Sequence, residues 1–151
     1  LLSVDIYIYL CDFGSISRIN VALSGTAIQS TTFLGGVAER AIDGNSDPHW
    51  EHNSCTHTNS TAKPWWRLEL PGVYRVSEIQ VTNRNTARER LNGVTSPTIT
   101  QYCCLTQTVK CLGMEGRFIN FYRSSEIILA LQLCEVKVYG GRHPVHHDMI
   151  V

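Results

Sequence analysis

Asp43, Asn45 and Ser54 are hard oxygen donors lying close together in the chain. The first two flank a glycine in Ala41-Ile42-Asp43-Gly44-Asn45, and the third stands in Asn53-Ser54-Cys55-Thr56-His57-Thr58. A loop of this kind, completed by a distant carboxylate, is how a calcium site is assembled. The same residues also make an ordinary Asx-turn, and spacing alone favours the turn. A second set lies at Asn83-Arg84 and Arg88-Glu89-Arg90-Leu91-Asn92-Gly93, just beyond an expected strand end. A rigid guanidinium fork can donate several hydrogen bonds to the paired hydroxyls of a neutral sugar. His57 would add a donor or acceptor at the same rim. The plainer reading of these arginines is solvated surface charge.

Other chemistries find no foothold. There is no G-x-S-x-G, no H-E-x-x-H and no G-x-x-x-x-G-K-[ST] phosphate loop. His143, His146 and His147 have the chemistry to ligate a transition metal, but a His-rich tail is more simply read as solvated. Zinc sites usually take paired ligands two to four residues apart, and the cysteines at 11, 55, 103, 104, 111 and 134 contain no C-x-x-C repeat. Six cysteines of this kind point instead to disulfides and an oxidising compartment. Asn59-Ser60-Thr61 is a glycosylation sequon and agrees with secretion.

Short strands must position these residues. Trp66, Leu68 and Leu70 alternate with Arg67 and Glu69, the pattern of a half-buried strand. Val76, Ile79 and Val81 continue it with a slip near Ser77-Glu78 that predicts a bulge. Arg117 to Tyr122, Ile127 to Leu133 and Val136 to Tyr139 read as further strands. Turn signals stand at Asp43-Gly44-Asn45, Pro71-Gly72, Asn92-Gly93, Gly113, Glu115-Gly116 and Gly140-Gly141. Many short strands at this spacing predict an all-β antiparallel sandwich or jelly roll.

Composition narrows the function classes. The 151 residues are enough for one domain with a real core. Thirteen basic and thirteen acidic side chains leave no net charge, which argues against bulk nucleic-acid binding. Charged residues at 17% are too few for a disordered chain. No run of 18 apolar residues exists to insert in a membrane.

Together these segments resemble the F-type lectins, the fucolectin family of secreted, calcium-containing, fucose-binding sandwich domains. The matching stretches are Asn20 to Leu23, Ala41 to Asn45, Ser54 to Thr58, Pro64 to Arg67, Asn83-Arg84, Glu89 to Gly93, Met114 to Arg117 and Leu133 to Val136. They run in family order. The family signature is a His, an Arg 27 positions later, an Asp two beyond, and a second basic residue. Here His57 and Arg84 are 27 apart, and Arg90 sits in the expected Glu-Arg-Leu-Asn-Gly setting.

The resemblance implies a discoidin-like jelly roll over residues 19–140, with a shortened strand region near 94–114, an extension at 1–18 and a polar tail at 141–151. It implies a lectin without catalysis, which binds terminal L-fucose on glycans or glycoproteins through His57, Arg84 and Arg90. The sugar's methyl group would rest on Trp50 and on Phe33 or Leu34, with Trp65 and Trp66 left to core and rim packing. Ca2+ would take oxygens from Arg40, Asp43, Asn45, Ser54, Cys134 and Glu135 and pin the binding loops, and Cys55 would bridge to Cys134. Asp43 and Glu135 are then committed to calcium, so no carboxylate pair remains for a glycosidase. Weak monovalent sugar binding implies an oligomer or a tandem-domain protein.

The chain also departs from the family pattern. Thr86 stands in place of the Asp, Thr86-Ala87-Arg88 replaces the adjacent cysteines that often form a small ring, and the arginines are one residue closer than usual. These departures support an alternative, a sandwich kept as a structural or protein-interaction module. Cys103 or Cys104 is the expected partner of Cys111, leaving the other for Cys11.

Overall fold

The computed structural model describes residues 19–91, 94–95, 105–123 and 126–142. Readings that fall on the 1–18 extension, Asn92-Gly93, Cys103, Cys104 and the histidine tail lie outside the described residues. Among the described residues five strands form one antiparallel sheet: β1 (Thr26–Gln29), β2 (Trp65–Thr82), β3 (Val94–Thr95), β4 (Thr106–Arg123) and β5 (Glu135–Arg142). The order is β1-β2-β4-β3, with β5 also paired to β2. The all-β antiparallel expectation holds. The short region near 94–114 contains the two-residue β3 and the start of β4, and β5 runs two residues past the boundary expected at 140.

β2 organises the whole. Its first part pairs with β1, its second with β5, and β4 runs along both. Alternation buries Trp66, Leu68 and Leu70 on even positions but Ile79 and Val81 on odd ones. A bulge makes the change of parity, because pairing to both β4 and β5 shifts between Val76 and Glu78. The apolar side therefore stays inward through the slip. Trp66 lies at the centre, packed against Phe121 with ring centroids 5.8 Å apart. Its indole N–H donates to the Ala38 carbonyl at 3.0 Å, which ties the 3-10 turn Ala38–Ala41 to the sheet. Trp65, on the opposite face, is exposed.

Several turn signals prove to be irregularities inside strands. Pro71-Gly72 sits in a register shift of β2 between Glu69 and Tyr74. Gly113 and Glu115-Gly116 lie within β4, where Leu112 and Gly113 take φ of 50° and 78° opposite the Ser77 bulge. Gly140-Gly141 lies within β5, and a Cβ at Gly140 would stand 2.4 Å from the Arg75 carbonyl oxygen. The freedom that suits glycine to a turn also suits it to a bulge or a close backbone approach.

Ile127–Leu133 is a further correction, since no strand forms there. The Thr56 and Thr58 amides donate to the carbonyls of Leu133 and Leu131. In return the Leu131 and Leu133 amides donate to the hydroxyls of Thr58 and Thr56, at 2.8 and 3.0 Å. Side-chain oxygens have taken the place of backbone acceptors, so the ladder is not regular. Cys55 and Cys134 close the end of this rail in a disulfide. Bridging 79 positions contributes about 4.5 kcal/mol on the chain-entropy view. Cys111 departs from its expected pairing. It is a buried free thiol, and burial raises its pKa.

Candidate functional site

The Cys55–Thr58 rail fixes His57. Its neighbours Thr56 and Thr58 bond toward Leu131–Leu133, and the imidazole bonds on one side to the Thr58 carbonyl and on the other to Arg90. Nδ1–H donates to the Thr58 carbonyl at 2.6 Å. Nε2 then accepts from Arg90 Nη1 at 2.9 Å. The two bonds select the neutral Nδ1–H tautomer. Burial, and then the positive charges of Arg90 and Arg84, hold the His57 pKa below its ordinary 6.5; the Thr58 bond opposes them only in part.

Arg90 reaches His57 from the 3-10 turn Arg88–Leu91, which Leu91 anchors in the core. The buried Arg123, at the end of β4, donates to the Arg90 carbonyl. Arg84 follows the end of β2. Its guanidinium carbon lies 5.6 Å from the Trp50 ring centroid, and its Nη2 donates to Glu51 at 3.4 Å. Its buried Nε–H finds no acceptor among the described residues, so this guanidinium holds donor capacity in reserve.

An apolar wall borders the cations. Phe33 and Trp50 lie 4.9 and 5.2 Å from the His57 ring centroid, Trp50 edge-on. Leu34 stands exposed at the tip of the adjoining turn with φ 45°, followed by Gly35 at 72°. An apolar side chain in the left-handed region is uncommon and is a position to examine for function. The turn is bonded to the site, the Phe33 amide to the His57 carbonyl and the His57 amide to the Gly36 carbonyl. Thus His57, Arg84, Arg90, Phe33 and Trp50 come together, with Leu34 beside them.

Gly36 and Arg123 were not among the residues anticipated. A Cβ on Gly36 would lie 2.6 Å from the His57 backbone nitrogen and 2.9 Å from the Trp50 ring. Gly36→Ala should therefore push the Phe33 turn off His57 and cost about 1–3 kcal/mol, the usual range for overpacking. Chemical denaturation checks this, and an unchanged midpoint would mean that the turn yields freely.

The oxygen donors of the Asp43 loop are held by local bonds. Asp43 Oδ1 accepts from the Asn45 amide at 2.8 Å, and Asn45 Oδ1 from the Asp47 amide at 3.1 Å. The Asx-turn reading is therefore realised. The Ser54 hydroxyl donates to the His49 carbonyl at 2.7 Å. The Arg40 guanidinium goes elsewhere, to the Cys55 carbonyl and Asn53, so only its backbone oxygen remains for a cation. Glu135 is the anomaly. It is wholly buried, and among the described residues neither carboxylate oxygen makes a hydrogen bond of full geometry, the Gly44 amide acting on it only weakly. Burial, reinforced by the charge of Asp43, pushes its pKa up to about 7, while Lys137 and the Gly44 amide pull weakly downward. An orphaned buried carboxylate facing a second acid, among uncharged oxygens, fits a hard divalent cation.

Residues 40–121 match the family model of the NedA-like, galactose-binding domain. Fucolectin-4 of Anguilla japonica is 38% identical over 143 residues, covering 79% of this chain and 78% of that protein. The serum F-lectin of Morone saxatilis superposes with a TM-score of 0.74 at 37% identity. That match covers 83% of this chain, which spans about half of the bass protein, 48%. The lectin domain of lectinolysin, solved with Lewis B antigen, gives a TM-score of 0.72 at 28% identity, over 83% of this chain and 97% of that one.

Proposed function

The chain belongs to the fucolectin, or F-type lectin, family, and from that premise we propose that it binds terminal L-fucose on glycans without catalysing a reaction. The observation that carries the proposal is the His57–Arg90 pair, pinned beside Arg84 and walled by Phe33 and Trp50. Arg90 uses Nη1 on His57, and its remaining N–H groups, which bond no other described residue, would donate to sugar oxygens. Arg84 adds its own donors, and the wall receives the methyl group. The disulfide supports an oxidising, extracellular setting. Asn59 is exposed two residues from His57, where an attached glycan would border the pocket. Clustering in an oligomer or a tandem protein would raise the avidity of so small a site.

Ca2+ belongs to the same reading. Asp43, Asn45, Ser54 and Glu135, with backbone oxygens of Arg40 and Cys134, would hold it. Its part would be electrostatic: bound there, it would neutralise the acids and pin the loop preceding Trp50 to the rail that carries His57.

Neutral His57 is required to accept from Arg90. Because its pKa is lowered, the neutral form persists through the ordinary titration point of 6.5 and is lost only in more acid solution. Calorimetric titration with L-fucose should give a constant affinity from about pH 8 to 6.5, then a decline approaching tenfold per pH unit. Folding stability carried by the depressed pKa is likewise present above 6.5 and lost as pH falls through the window beneath it. A folded protein that takes up no L-fucose at pH 7.5 and recognises no fucosylated glycan at high density would overturn the lectin reading.

A further inference from the structure

Next to both sets of residues, Asp47, His49 and His52 converge on a single point. Their ligand atoms all lie within 4.8 Å of one another. His49 Nδ1 donates to Asp47 Oδ1 at 2.7 Å and His52 Nδ1 to Oδ2 at 2.6 Å. The imidazole centroids are 5.1 Å apart, and both rings are exposed. The Asp47 carboxylate also accepts from the His49 amide at 2.9 Å, so its position is set by backbone as well as by side chains.

We propose that Asp47, His49 and His52 form a second cation site, selective for a borderline transition metal such as Zn2+ and distinct from the calcium site. Two imidazoles and one carboxylate make a donor set that suits zinc and its neighbours and suits calcium poorly. Ligands bound at about 2.1 Å to a tetrahedral ion stand ~3.4 Å apart, so the exposed groups need to close by up to about 1.4 Å, a movement that surface side chains can make. Each imidazole moves its proton to Nε2 and offers the Nδ1 lone pair, and water completes the shell. The surroundings make the site more than a surface ion pair. His49 begins, and His52 ends, the 3-10 turn that carries Trp50. The His49 carbonyl accepts from Ser54, and the Pro48 carbonyl accepts from the Asn85 amide beside Arg84. A bound ion therefore fastens the loop that lies between the calcium residues and the Trp50 wall.

The test is equilibrium dialysis of the whole chain against Zn2+ in excess Ca2+, on a background in which His143, His146 and His147 are alanine so that the tail takes up no metal. One zinc ion per chain is expected, with affinity at least about tenfold weaker in His49→Ala and in His52→Ala. The melting temperature of both variants in calcium without zinc should stay close to the parent's, because each removes an exposed ring and one surface bond to Asp47, a kind of pair worth little to stability. No saturable uptake, or uptake unchanged in both variants, would overturn the proposal.

Discussion

Arg90→Ala should lower the affinity for L-fucose by about 10- to 150-fold, the loss of a charge-assisted hydrogen bond worth about 1.5–3 kcal/mol. Its melting temperature should change little. The guanidinium is only half-buried, and the carbonyl that accepts from Arg123 survives the substitution. What is lost is the bond to His57 Nε2 and the fork directed at the sugar. Because Arg90 and His57 hold one another, His57→Ala should lose a comparable amount, and the double variant little more than either alone. Titration calorimetry with L-fucose and thermal denaturation read the two effects separately. Retained affinity, or an unfolded Arg90→Ala, would make this arginine a structural residue and undo the site assignment.

That pairing shows how the sequence could be read and where it could not. The alternation of Trp66, Leu68 and Leu70 is local, so one strand reveals it, and the Ser77 slip is visible as a break in the same period. His57 and Arg90, 33 positions apart, come into register only through the order of matching stretches, not through spacing. Pro71-Gly72, Gly113 and Gly140-Gly141 misled because a glycine states what the backbone is free to do, whereas the paired strand decides whether it turns or bulges. Ile127–Leu133 misled for a related reason. Its apolar run is buried from Ala130 onward, but two threonine hydroxyls occupy the acceptor positions that a partner strand would fill. Arg123 did leave a signal. Alternation places it on the face of Ile119 and Phe121, and a charge on a buried face needs a partner, which the Arg90 carbonyl supplies. Gly36 left a weaker one, since Gly35-Gly36 marks a turn but not what the turn must fit against.

Removing calcium should destabilise the wild-type domain, and Glu135→Gln should abolish that response. Glu135 buries two carboxylate oxygens beside Asp43, and among the described residues only the Gly44 amide acts on them, weakly. Such a charge opposes folding by several kcal/mol unless a cation neutralises it. At a hundredfold excess over its dissociation constant, calcium adds about 2.7 kcal/mol, which moves the melting temperature of a domain this size by several degrees. Glu135→Gln keeps the shape and removes the charge. Without calcium the variant should therefore melt above the wild type, and with calcium below it, so the two curves cross. Calorimetry in calcium and in chelator measures all four values. A carboxylate with a merely structural part in the core predicts the opposite pattern: the variant melts lower in both solutions, and chelation leaves the wild type unchanged. Sugar binding separates the roles once more. Glu135 touches neither His57 nor the arginines in any bond described, so a loss of fucose affinity in Glu135→Gln would be transmitted through the loops alone. Excess calcium would not restore it, whereas in the wild type the loss caused by chelation should reverse on adding calcium back.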